Sequence, residues 1–113
     1  MVSTRKFQRT TGRRRAFIKG IAAGLILNGK IMTTEARAKE IRPVVERYVT
    51  YAKTGQTAKL RMLQAVLPKK AAMKIFYEIG PKYKNRTGGY LRITKQVNQR
   101  MRDAAKMATI EFV

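Results

Sequence analysis

The chain contains no cysteine and no histidine, and only six acidic residues among 113. Without Cys there is neither a disulfide nor a thiolate ligand. Without His, imidazole zinc sites and Ser-His or Cys-His catalysis are excluded. The absence of Cys also fits an intracellular protein. The acids are Glu35, Glu40, Glu46, Glu78, Asp103 and Glu111; they are scattered, and most have a basic residue nearby. A carboxylate pair for acid–base work or Mg2+ would need folding to bring two of them together. The expectation is therefore a protein without enzymatic activity, cofactor, metal or small-molecule substrate. The uninterrupted apolar run at residues 20–27 is eight residues long, far short of the ~20 that span a bilayer. There is no internal repeat and no linker that would split the chain.

What is abundant is positive charge. Lys and Arg number 26, giving a formal net charge of +20. Compaction against that self-repulsion is unfavourable without a polyanion, so nucleic acid is the first partner to expect and an anionic membrane surface the second. Yet 44% of the residues are hydrophobic, too many for a disordered basic tail. The balance predicts one folded domain over residues 13–113 carrying a basic extended tail over residues 1–12. Residues 1–19 hold Arg5, Lys6, Arg9, Arg13, Arg14, Arg15 and Lys19 and no acid, the composition of an arm that threads among phosphates.

The strongest helix signal begins at Thr34 and Glu35. Thr34 is placed to accept from a first-turn amide, and Glu35 suits the positive end of the helix dipole. Behind them Ile41, Val45, Tyr48 and Ala52 recur at steps of four, three and four, one apolar stripe on a helix that runs to about Gly55. Lys39, Arg42, Glu46 and Lys53 fall on the opposite side. This segment is the expected spine of the fold. Pro43 cannot donate to the carbonyl of Lys39 and its ring clashes there, which predicts a kink or two helices in series. Arg37 falls within the apolar stripe, either to snorkel outward or to reach a phosphate.

A first helix is expected over residues 13–28, with Phe17, Ile21 and Leu25 as its stripe and Asn28-Gly29 as its terminator. Residues 30–33 read as a short extended segment. Residues 57–67 read as a helix with Leu60, Leu63 and Leu67 inward. Pro68 opens the next, with Ala72, Ile75, Phe76 and Ile79 inward and Gly80-Pro81 as its stop. Residues 90–94 and 107–113 alternate at period two, giving two strands with Leu91 and Ile93, then Ile110 and Phe112, on one face. The predicted class is α/β in two layers (α+β): helix, strand, three helices, two strands, with helices covering one face of a small sheet.

Between residues 80 and 106 stand Lys82, Lys84, Arg86, Arg92, Lys95, Arg100, Arg102 and Lys106, with Tyr83 and Tyr90 among them. Gly88-Gly89 allows close approach of backbone to phosphate, and the tyrosine rings offer faces for stacking. These residues are candidate RNA contacts; the alternative for the two tyrosines is burial.

Other patterns are weaker. Residues 24–31 nearly fit the G-x-x-x-x-G-K-[ST] phosphate loop, but Ile31 stands where the Mg2+ hydroxyl is needed, and the stretch ends a helix rather than opening one. Arg14-Arg15-Ala16-Phe17-Ile18-Lys19 followed by the apolar run resembles a twin-arginine export signal, though its small-residue site Ala36-Arg37-Ala38 falls inside the best helix pattern. Gly20 and Gly24, four apart, suggest a close helix contact.

Several pieces together resemble one family: Lys6-Phe7-Gln8-Arg9-Thr10 with Arg14 and Ala16; residues 33–40; Gly80-Pro81; Gly88-Gly89-Tyr90-Leu91-Arg92-Ile93; and Ala108-Thr109-Ile110-Glu111-Phe112-Val113. In this order they resemble the bacterial-type large-subunit ribosomal protein L-seventeen family. The resemblance implies the same two-layer order of elements, no enzymatic role, and a cytoplasmic or organellar ribosomal location. It also implies binding to large-subunit ribosomal RNA near the mouth of the nascent-peptide tunnel, beside other large-subunit proteins and away from any membrane. The chain departs from the family at its opening, Met1-Val2-Ser3-Thr4, at Arg13, where the family carries His, and in the link over residues 96–107. The alternatives are a DNA-packing architectural protein and an exported protein.

Overall fold

The computed structural model describes residues 11–99 and 106–113. The elements run α1 (Thr11–Asn28), β1 (Lys30–Thr34), α2 (Glu35–Ala52), α3 (Thr57–Val66) and α4 (Lys69–Lys74). A π-helical turn (Ile75–Ile79) and α5 (Gly80–Lys82) continue α4, and β2 (Leu91–Gln99) and β3 (Lys106–Phe112) follow. This is the expected α+β order.

The sheet is antiparallel in the order β1-β3-β2. Ile31 and Ile93 both pair with Ile110, and Leu91 pairs with Phe112, so the alternation sets one apolar face against the helices. The other face carries Lys30, Met32, Arg92, Thr94 and Glu111. Met32 is exposed there, while Thr109 is buried and its hydroxyl accepts from Gln96 at 2.7 Å.

The spine forms as its sequence dictates. Thr34 Oγ1 accepts from the amide of Arg37 at 3.3 Å, a cap of the kind that contributes ~1 kcal/mol. Ile41, Val45, Tyr48 and Ala52 are buried, with Ala38 and Val49 beside them. α2 touches all three strands as well as α1, α3 and the π-helical turn. Pro43 does not divide it: Glu35–Ala52 is one helix. The ring lies on the exposed side, where water can satisfy the carbonyl that loses its amide.

Elsewhere the structure corrects the sequence. α1 begins at Thr11, two residues before the expected start. Its most buried residues are Ala22, Ala23, Leu25 and Ile26, while Phe17 and Ile21 are only partly buried. An almost wholly apolar run carries no helical phase, so the inward face could not be read from it. Gly20 and Gly24 make no close helix contact: a Cβ at either would meet nothing within 4 Å.

The close contact is at Gly80, where a Cβ would lie 2.8 Å from the carbonyl carbon of Ala52. Gly80 is helical (φ −52) and does not stop its helix, which runs on to Lys82. Pro68 stands as the cap before α4 rather than in its first turn. Buried residues here recur at 71, 75, 79 and 83 and at 72, 76 and 80. A step of four drifts about 40° per turn around an α-helix. The wider i→i+5 turn over Ile75–Ile79 absorbs that drift and keeps one face on the core.

Candidate nucleic-acid interface

The expected RNA residues fall into groups. Arg5, Lys6, Arg9, Arg100 and Arg102 lie outside the described residues. Arg13 and Arg14 are in the first turn of α1. Arg15 and Lys19 follow on α1 and, with Glu40, Val44, Arg47 and Tyr48 of α2, line a groove of 380 Å³ between the two helices. Arg47 is exposed at this groove; it is not among the expected residues, because the apolar stripe of the spine carries no signal for a single cation beside it.

Arg37 neither hangs free nor points wholly outward. Its guanidinium lies 4.7 Å from the centroid of the Phe17 ring, a cation–π contact that joins α1 to α2. This explains how a cation occupies the apolar stripe: the ring of the facing helix receives it.

Lys82, Lys84 and Arg86 form a second group, exposed along α5 and the loop after it. Gly88 and Gly89 turn this loop with φ of 78° and 65°, conformations that strain any residue with a Cβ. The turn delivers Tyr90 inward. Its burial (2% exposed) corrects its expected role, because a ring enclosed by protein offers no face to a base. Tyr83 is buried as well, 5.3 Å from Tyr90 between centroids, and its hydroxyl donates to the carbonyl of Val113.

The polar ends of these rings are tied down. Lys53 donates to the Tyr90 hydroxyl at 2.7 Å and to the carbonyl of Arg86 at 2.5 Å, so it pins the loop to α2 rather than facing solvent alone. Burial pushes the Tyr90 phenol up, but hydrogen bonds from Lys53, the backbone at Gly88 and Thr50, with the Lys53 charge, bring it below its ordinary 10.0. For Tyr83 burial prevails over the nearby Arg86 charge and holds the phenol above that value.

Arg92 and Lys95 form a third group, and both have carboxylate partners. Arg92 Nη2 lies 3.2 Å from Glu111, which Lys30 flanks from the other strand. Lys95 Nζ lies 3.6 Å from Glu35, which also pairs with Lys39 at 3.0 Å. The hydrogen bond from Lys39 dominates at Glu35. Although burial opposes it, that bond and the charges of Lys39, Lys95 and Lys106 hold the carboxyl below its ordinary 4.5. The cations of these pairs reach into solvent, where water and salt screen the attraction, so the pairs are weak.

A further group has no counterpart among the expected residues: Lys69, Lys70 and Lys74 on the outer side of α4, around an exposed Tyr77. Its signal was the step of four that marks the buried face: Lys70 and Lys74 each stand one residue before it, and Lys69 and Tyr77 two residues from it. Among the described residues no cluster of three or more metal-ligating acids exists, and no helix is long and apolar enough to cross a membrane.

Fold and surface define a small, strongly basic α+β protein whose cations are spread over the exposed sides of both layers. The family model described as Ribosomal protein L17 matches residues 17–113. "Large ribosomal subunit protein bL17" of Persephonella marina is 47% identical, with 99% of this chain and 92% of that protein covered. The protein of the same name from Hydrogenobaculum sp. is 42% identical over 99% and 96%, and that from Oenococcus oeni 40% over 96% and 97%. The chain belongs to the ribosomal protein L17 family, a family of structural proteins rather than enzymes.

Proposed function

We propose that the protein is a structural constituent of the large ribosomal subunit that binds large-subunit ribosomal RNA by charge neutralisation and shape, beside neighbouring ribosomal proteins at the nascent-peptide exit of cytoplasmic ribosomes. The observation that carries this reading is a net charge of +20 on a chain of this family. Basic side chains replace the counterions around closely packed phosphates, and contacts to phosphate and ribose outweigh base reading. The ion pairs of Arg92 and Lys95 do not oppose this role. Exposed pairs are weak, so exchanging a carboxylate for a phosphate costs little.

The exported alternative has structural observations against it. Ala22, Leu25 and Ile26 of the apolar run lie in the core, and Ala36-Arg37-Ala38 is the first turn of α2. Cleavage there would divide the spine.

Sedimentation of a cell extract through sucrose at moderate and high salt tests the reading. The protein is expected with large subunits, leaving them only at high salt; recovery with chromosomal DNA or in an exported fraction would overturn it. A companion measurement replaces Lys82, Lys84 and Arg86 with Gln. The plot of log affinity for large-subunit RNA against log salt should flatten by about 0.7 to 0.9 for each phosphate that is no longer neutralised.

A further inference from the structure

The outer side of α4 and its π-helical turn faces the C-terminal end of α1 across an open groove of 620 Å³. Leu27, Met73 and Tyr77 form its apolar floor, and Lys69, Lys70 and Lys74 line it with Glu78 as its one acid. Lys74 Nζ donates to the carbonyl of Leu27 at 2.7 Å and so fixes α4 to the end of α1.

Tyr77 is 57% exposed, yet it is braced. Its ring stands against that of the buried Phe76 at 5.0 Å and 83°, edge to face. A large aromatic ring therefore offers surface to solvent from a fixed position, among three lysines.

We propose that this groove takes one unpaired nucleotide of an RNA strand, with its base stacked on Tyr77 and the flanking phosphates held by Lys69 and Lys70. The proposal rests on the RNA-binding reading above and assigns it a further contact surface, on α4 and its π-helical turn. Three lysines around an aromatic platform are the composition of a single-strand binding site, in which stacking is tolerant of base identity and cations follow the backbone. The cores of protein–protein interfaces are instead depleted of Lys, so the charge around the groove favours nucleic acid over a neighbouring protein. A paired base is already stacked on both sides, so the groove selects a nucleotide that its own strand leaves open.

The test uses the full chain and a fluorescently labelled, unstructured RNA oligonucleotide, with anisotropy read over a range of salt. Replacing Tyr77 with Ser is expected to weaken binding about 5- to 150-fold, the range for loss of one base stack, at an unchanged salt slope. Tyr77→Phe keeps the ring and should bind as the parent does. Lys69→Gln with Lys70→Gln should flatten the slope by about 0.7 for each single-strand phosphate set free of its lysine. A fully paired duplex of the same sequence should bind equally to the parent and to Tyr77→Ser. Circular dichroism verifies that each variant is folded.

If Tyr77→Ser binds the oligonucleotide as tightly as the parent, the proposal fails, and weakened incorporation into large subunits would then assign the groove to a protein. Equal loss in Tyr77→Phe and Tyr77→Ser would also overturn it, by making the hydroxyl the operative group. Failure of the parent chain to bind any RNA would instead defeat the broader reading.

Discussion

Tyr77 and the pair Tyr83–Tyr90 sit in opposite surroundings. The pair lies in sequence among glycines and a run of cations, and it is enclosed by protein. Tyr77 lies in a helix among apolar neighbours, and its ring is open. Sequence company thus says little about whether an aromatic face is available. What decides is the phase of the element: positions 71, 75, 79 and 83 share the inward face, and position 77 is half a turn away. The glycines beside Tyr90 act on the backbone, turning it so that the ring enters the core.

Truncating the rings should separate these roles most sharply. Tyr90→Ala removes a fully buried aromatic and should cost about 3–5 kcal/mol, lowering the thermal midpoint by about 10 °C or more. Tyr77→Ala, on the surface, should shift stability by no more than about 0.5 kcal/mol. Differential scanning calorimetry of both variants checks this, and comparable losses would show that Tyr77 belongs to the core.

The helix phase that buries Tyr83 depends on the close approach of Gly80 to α2. Gly80→Ala forces a methyl against the Ala52 backbone and should cost about 1–3 kcal/mol. Gly24→Ala meets open space and should gain about 0.5–1 kcal/mol from helix propensity. Urea denaturation at neutral pH reads both signs.

A smaller effect is expected at the polar end of the pair. Lys53→Met removes donors to Tyr90 and Arg86 and should cost about 1 kcal/mol. A depressed phenol adds stability that is complete above its unfolded value near pH 10 and is lost as pH falls through the lower folded value, so the loss at neutral pH comes from the hydrogen bonds themselves. Ultraviolet titration should show the Tyr90 transition moving upward in the variant, leaving Tyr83 as it was.

The smallest effect concerns Glu35, at the head of the spine that both regions share. Its carboxyl is depressed, so its contribution to stability is present above its ordinary value of 4.5 and is lost as pH falls through the lower folded value. Glu35→Gln should lower the thermal midpoint slightly at pH 7 and narrow the gap between pH 7 and strongly acidic buffer. An unchanged gap would mean that the cations around Glu35 do not act on it.

The parts of the fold visible in the sequence were those where apolar and polar residues alternate at a definite period. The stripe Ile41-Val45-Tyr48-Ala52 and the strands around Ile93 and Ile110 are of this kind, and Thr34 supplied the cap. The inward face of α1 was hidden because residues 20–27 are apolar all round. The continuation through Gly80 was hidden because Gly followed by Pro ordinarily ends a helix, whereas here a tertiary contact needs the missing Cβ. For the surface, Lys82, Lys84 and Arg86 were legible as exposed cations. The burial of Tyr90, the carboxylate partners of Arg92 and Lys95, and the groove at Tyr77 depend on residues distant in sequence, which no local pattern specifies.

The strand order has a consequence for how the chain is made. β3 follows both of its neighbours in the chain, yet it lies between them and supplies every hydrogen bond that joins the sheet. During vectorial synthesis β1 and β2 emerge without the strand that unites them. The helical layer can assemble first, on contacts that are mostly nearer in sequence, but the sheet must wait for a pairing between residues 30–34 and 107–111. Such distant pairing is slow to form. A nascent chain stalled before Lys106 would hold two unpaired edges and no sheet.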